Sequence, residues 1–261
     1  MSDPSERRPT RPPRRRLIAG VYNYCDRWCE RCVRQQNCRL FRDQRRFEAA
    51  AAAGEEALKR LHERDDDEDD EYEGEPPLSP AEQAERLATI EEACKTTLTP
   101  EEERRMEEEY ERRRRLKDAH PLACAGGAYM HVVHKLQKRL AATSSAFRDP
   151  VARAAFDAID HHACLIGGRT RRATSELVGD EDARAFAQSL GVQSDGHGCA
   201  KVVRLAIAES RDAWTYLQTI GVLKSAGVPA AMLVRLEALD RQVQKYFPRA
   251  MEFVRPGFDD R

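Results

Sequence analysis

The chain has 261 residues, 41% of them hydrophobic, enough for one domain with a sizeable core or for two small ones. With 34% of residues charged and only 7% aromatic, part of that length must be solvated helix or tail, so the core is smaller than the length suggests. A formal net charge of -1 leaves no global field to draw nucleic acid or an acidic substrate, and no window nears the roughly eighteen apolar residues that a membrane span needs.

Residues 1–16 carry "SERRPTRPPRRR" and read as a disordered basic tail, because nothing apolar anchors them. A solubilising arm is the plain reading, and a nucleic-acid or lipid contact is the alternative. The next stretch, "LIAGVYNYC", is too short and polar for a secretory h-region, which predicts a cytoplasmic protein. Thiols stay reduced there, so close cysteines read as ligands or redox groups rather than disulfides.

Residues 17–45 hold the densest chemistry. Cys25, Cys29, Cys32 and Cys38 follow a C-x3-C-x2-C-x5-C spacing. On one continuous helix the first three would spread over about 10 Å of axis, too far for one metal with bonds of about 2.3 Å, so the segment must bend. Asp26 is predicted to cap a short helix reaching about Arg34, with Cys25 before it and Cys29 and Cys32 inside. Asn37 then turns the chain and brings Cys38 back. Arg27, Arg31, Arg34, Arg39 and Arg42 are placed to offset the thiolate charge, and Tyr22, Tyr24 and Trp28 to supply apolar cover. Zinc suits four thiolates and is the preferred occupant; a 4Fe–4S cluster is the alternative. The first three cysteines also resemble the spacing of radical S-adenosylmethionine enzymes, but those require an α/β barrel and no strand pattern occurs here.

Residues 46–118 are rich in Ala, Glu, Arg, Asp and Lys. They predict charged helices near Arg46–Glu63 and Ala81–Lys95 and a third opened by Thr99 and Pro100, with the acidic run from Glu63 to Glu75 as a linker. Residues 119–261 change character. Apolar side chains recur at three-and-four spacing in Pro121–Leu140, Pro150–Arg172, Asp180–Leu190, Gly198–Gln218 and Pro229–Phe247. The expected fold is all-α, an antiparallel bundle of four or five helices behind the cysteine segment.

Two weaker constellations lie in the bundle. The predicted core stripes are Tyr129, Val132, Val133, Leu136 and Leu140 in one helix and Ala152, Ala155, Phe156, Ile159 and Ile166 in the next, with His162 at the edge. His131, His134, Asp157, Asp160, His161 and Cys164 lie away from those stripes and form a second metal or acid–base site if their faces meet; otherwise they are polar outer faces. Cys199 falls on a core stripe with Val202, Val203 and Ala206 and reads as a small buried hydrophobe. In "DGHGCAK", Asp195 is predicted to cap a helix, while Gly196, Gly198 and Lys201 permit either close packing or an anion at the helix start.

Together "YNYCDRWCERC", "DGHGCAK" and "YFPRAMEFVRPGFDD" resemble a family of bacterial all-helical proteins, over about residues 20–42 and 150–261. The resemblance implies a prokaryotic source, an all-α fold and a cysteine-bound metal, and it brings no established activity. Residues 48–118 depart from that pattern and read as an insertion, and the family carries aromatics where His161 and His162 stand, which argues against catalysis by them. The expected function is a cytoplasmic metal-binding protein whose bundle is an interaction or regulatory module with a protein partner. The alternative is an iron–sulfur redox protein or metalloenzyme.

Overall fold

A computed structural model describes residues 16–62, 72–73, 79–95, 98–143, 149–222 and 227–259. The basic tail, apart from Arg16, and the acidic run, apart from Tyr72 and Glu73, lie outside the described residues. The fold is all-α. Among the described residues one extended pairing occurs, two residues long, β1 (Leu17–Ile18) running parallel to β2 (Tyr72–Glu73).

The helices are α1 (Arg39–Ala53), α2 (Glu55–His62), α3 (Pro80–Lys95), α4 (Pro100–Ala119), α5 (Pro121–Thr143), α6 (Pro150–Leu177), α7 (Glu181–Leu190), α8 (Asp195–Thr219) and α9 (Val228–Tyr246). The charged helix expected from Arg46 begins earlier, at Arg39, and Gly54 divides it from α2. Starts are set by side-chain caps: Thr99 and Glu102 form a reciprocal capping box on α4, and Asp149 and Asp180 accept backbone N–H bonds on α6 and α7. Glu109 and Glu111 pair with Arg112, Arg113 and Arg114 along α4, which therefore stands as a solvated helix with no buried residue.

Of the expected stripes, Tyr129, Val133, Ala152, Phe156, Ile159 and Ile166 are buried and Val132, Leu136 and Ala155 partly buried, while the Leu140 side chain lies outside what the structure describes. Helices α5, α6, α8 and α9 enclose Tyr129, Val133, Phe156, Ile159, Ile166, Val203, Ile207, Trp214, Leu236 and Val243. Trp214 Nε1 donates to the Tyr129 hydroxyl at 3.1 Å, so the largest buried ring also has its polar atom satisfied. Between α5 and α6 the backbones approach closely: Gly126 faces the Thr170 side chain, with no room for a Cβ.

Gly126→Ala drives a methyl into Thr170 and is expected to cost about 1–3 kcal/mol. Gly127→Ala, one residue on and facing open space, is expected to gain about 0.5–1 kcal/mol because a helix interior prefers Ala. Urea unfolding followed by circular dichroism checks both; equal shifts in one direction would contradict the described α5–α6 contact.

Candidate metal centre

The cysteine segment bends more sharply than a capped helix allows. Gly20 starts a single turn at Val21–Asn23, and Asp26 Oδ1 accepts from Trp28 N at 3.0 Å, closing a turn in which Arg27 takes a left-handed conformation at φ 61°. Two short 3₁₀ turns follow, at Cys29–Arg31 and at Gln35–Asn37. The helix expected to reach Arg34 is therefore absent: Asp26 spends its side chain on a local turn, and continuous helix starts only at Arg39, with Cys38 as its N-cap. Asn37 does turn the chain, and its Nδ2 donates to the Arg16 carbonyl at 2.8 Å.

These turns bring all four thiols to the wall of one small cavity. Cys25, Cys29, Cys32 and Cys38 line it with Tyr22, Asp26, Arg27, Trp28, Gln35, Leu40 and Phe41, and its volume is about 10 Å³. Cys25 and Cys38 are buried, while Cys29 and Cys32 are half-buried. Burial pushes the Cys25 thiol up, with the Arg27 backbone and charge opposing. Burial also raises Cys29, and the negative charges that Cys25, Cys38 and Cys32 would carry raise it further. Cys29 thus senses the charge of the other three sulfurs. Among the described residues, however, no group of three or more His, Cys, Asp or Glu side chains meets the spacing needed to hold a metal ion. Four of the lining residues are cysteines, beside Asp26 and Arg27, and thiols are a donor type that suits zinc or iron once deprotonated; to hold an ion the four would have to close inward.

Four of the expected supports make other contacts. Arg39 and Arg42 reach Asp43, and Arg31 lies over the Trp28 ring at 3.5 Å. Tyr24 leaves the cysteines altogether: its hydroxyl donates to Asp195 Oδ1 at 3.0 Å and its ring packs on Phe253 at 4.6 Å. Burial and the Asp195 charge hold the Tyr24 hydroxyl well above its ordinary range, so it remains a donor.

The start of α8 is occupied by the protein's own groups. Ser194, not Asp195, caps the helix, and Glu176 accepts from Gly196 N at 2.8 Å. Asp195 instead takes two bonds from Arg172, at 2.9 and 2.7 Å. Gly198 lies under the Tyr24 and Phe253 rings. Lys201 Nζ donates to the Phe253 carbonyl at 2.6 Å and pairs with Asp259 at 2.7 Å. The four residues expected to cradle an anion therefore serve close packing and internal ion pairs.

The second constellation divides. His134 Nε2 lies 3.3 Å from Cys164 Sγ and 3.4 Å from Asp160 Oδ1, so those three meet across α5 and α6. His131 and Asp157 are exposed. His161 faces the cysteine segment, where its Nε2 donates to the Asp26 carbonyl at 2.6 Å and its ring stacks on Trp28 at 4.5 Å. His162, placed at a stripe's edge by the sequence, is 1% exposed. Its position three residues after Ile159 and four before Ile166 was the available signal.

No described family matches the chain, and no curated protein or solved structure is similar to it. Among the described residues, no helix is long and apolar enough to cross a membrane.

Asp259 yields a pH test. Burial pushes its carboxyl up, but hydrogen bonds from Arg255 and Lys201 outweigh this and hold it well below the usual carboxylate range. A depressed carboxylate stabilises above its unfolded value near pH 4, and that contribution is lost as pH falls towards the folded value. Asp259→Asn should therefore cost about 1–3 kcal/mol at pH 7. Denaturation across pH 7 to 3 should show the gap from wild type narrowing below pH 4; a gap that stays constant to pH 3 would contradict the pairing.

Proposed function

We propose that this chain is a metal-binding protein in which Cys25, Cys29, Cys32 and Cys38 hold one zinc ion and thereby fasten the N-terminal segment to an antiparallel helical bundle. The observation that carries the reading is the convergence of four thiols from two turns and a helix cap on a single cavity. At about 10 Å³ that cavity suits one atom-sized occupant, which favours zinc over a 4Fe–4S cluster. Burial, and after it the charge that the other three sulfurs would carry, holds the Cys29 thiol up; a cation would offset that charge, so binding and deprotonation are coupled. The bound ion would supply a cross-link. The bundle serves as an interaction or regulatory module for a protein partner in the cytoplasm, and the resemblance of the three stretches supports a bacterial all-helical family.

A second reading rests on His134, Asp160 and Cys164. Asp160 Oδ1 is buried without a hydrogen-bond partner beside His134, which supports a metalloenzyme site on α5 and α6.

Protein purified anaerobically, with reductant and without added metal, should carry about one zinc per chain by elemental analysis and no visible absorbance. Cys29→Ser should lose most of it while far-UV circular dichroism stays close to wild type. Metal-free protein with an unchanged melting temperature would remove the leading reading, iron with sulfide would replace zinc by a cluster, and a second equivalent lost in His134→Ala would establish the α5–α6 site.

A further inference from the structure

Away from the cysteine segment in sequence, the end of α6, helix α7, the turn at Gly191–Gln193, the start of α8 and the stretch after α9 wall a cavity of about 380 Å³. That volume is at the small end of the roughly 300–1,000 Å³ of ligand sites, which combine an apolar lining with a few polar groups. Leu177 and Val192 supply apolar wall here, and Glu176, Arg184, His197 and Arg249 supply the polar groups. The cavity shares no residue with the one that the thiols line.

What fits depends on which of those four groups is already taken. Arg249 is engaged, because its Nε and Nη2 donate to both oxygens of Glu252 at 2.6 to 3.0 Å. His197 Nδ1 lies 2.8 Å from Ser194 Oγ, and its ring meets Phe247 edge-on at 5.4 Å. Glu176 is engaged through one oxygen only. Its Oε2 accepts from Gly196 N at 2.8 Å, whereas its Oε1 has His197 Nδ1 at 3.9 Å, beyond hydrogen-bond reach. Arg184 is exposed, and its guanidinium makes no hydrogen bond or ion pair among the described residues. The cavity thus offers one free cation, one carboxylate oxygen without a donor, and an apolar wall.

A ligand of one sign meets a conflict in this lining. An anion drawn to Arg184 is repelled by Glu176, and a cation drawn to Glu176 is repelled by Arg184 and Arg249. A molecule that carries both signs on neighbouring atoms satisfies both. We propose that the cavity binds a free amino acid with an aliphatic side chain, its carboxylate on Arg184, its ammonium on Glu176 and its side chain against Leu177 and Val192. The planar guanidinium takes a carboxylate through two parallel N–H bonds, and an ammonium brings the donor that Glu176 Oε1 lacks. A charged ligand side chain would find no free counter-charge, because Glu252 already holds Arg249. The site stands on these residues alone, independently of whether the thiols hold zinc.

Ligand-observed saturation-transfer NMR on the full chain at pH 7, with three probes that share one branched carbon skeleton, tests it. The probes are L-leucine, 4-methylpentanoate, which lacks the ammonium, and 3-methylbutylamine, which lacks the carboxylate. Leucine should bind at micromolar to millimolar concentration, and each one-charge probe about tenfold more weakly, the size of one lost charge-assisted hydrogen bond. Arg184→Ala, at an exposed and unpaired position, should keep the wild-type far-UV circular dichroism and bind leucine about tenfold more weakly, so that leucine and 3-methylbutylamine bind alike. Glu176→Gln, whose amide oxygen can still accept from Gly196 N, should bring leucine down to 4-methylpentanoate; if it fails to fold, the Arg184 variant carries the test. Absence of leucine binding at millimolar concentration overturns the proposal. A one-charge probe that binds wild type as tightly as leucine overturns it too, and so does Arg184→Ala protein that binds leucine as wild type does.

Discussion

The arrangement of both ends of the described chain depends on one close approach, that of two aromatic rings to the backbone of α8 at Gly198. Tyr24 arrives from the cysteine segment and Phe253 from the C-terminal stretch, and the two pack on each other directly above that glycine. Any side chain there would claim the volume the rings fill. One turn further along α8, Lys201 holds the Phe253 carbonyl and Asp259, and Gly257 faces Ile18 and Val21. The cysteine segment, the start of α8 and the C-terminal stretch therefore meet in space.

The electrostatics of this junction explain why its glycines do not make an anion site. A helix start carries unsatisfied N–H groups and the positive end of the helix dipole, and it will take whichever acceptor is nearest. Here Ser194 and Glu176 are already present, and Asp195 is turned outward to Arg172 and Tyr24. Beneath them Cys199 is fully buried, and burial together with the Asp195 charge raises its thiol to about 11. It stays neutral and behaves as the small hydrophobe that its place beside Val202 and Val203 indicates.

Legibility followed the strength of the local signal. The helical stripes of α5, α6 and α8 could be read because burial repeats at three and four residues, and Thr99, Asp180 and Pro150 marked starts within a residue or so. The cysteine spacing was enough to require a bend and a convergence. It was not enough to choose between a capped helix and two 3₁₀ turns, because that choice depends on the left-handed Arg27 and on Asn37 finding Arg16, and neither leaves a periodic trace. Long-range partners were also hidden. The sequence places His131 and His161 on one polar side, yet His161 is claimed by Trp28 from 133 positions away, and only the packed structure separates it from His134.

The cysteine segment also poses a question of stability that its own backbone does not answer. From Val21 to Cys38 it contributes isolated turns rather than a ladder, and each residue fixed in such a stretch costs about 1–2 kcal/mol of conformational entropy. Against that cost stand the Trp28 stack, the Tyr24 anchor and the Asn37 bond, of which only Tyr24 brings its ring into the main hydrophobic core. Neutral thiols around a cavity of about 10 Å³ add little, because the space between them is left without contacts. An ion drawing four sulfurs together would replace that gap with bonds and offset the repulsion that, after burial, raises Cys29. The same residues that make the segment costly to order without a cation would, on the proposed reading, make order and cation binding one event.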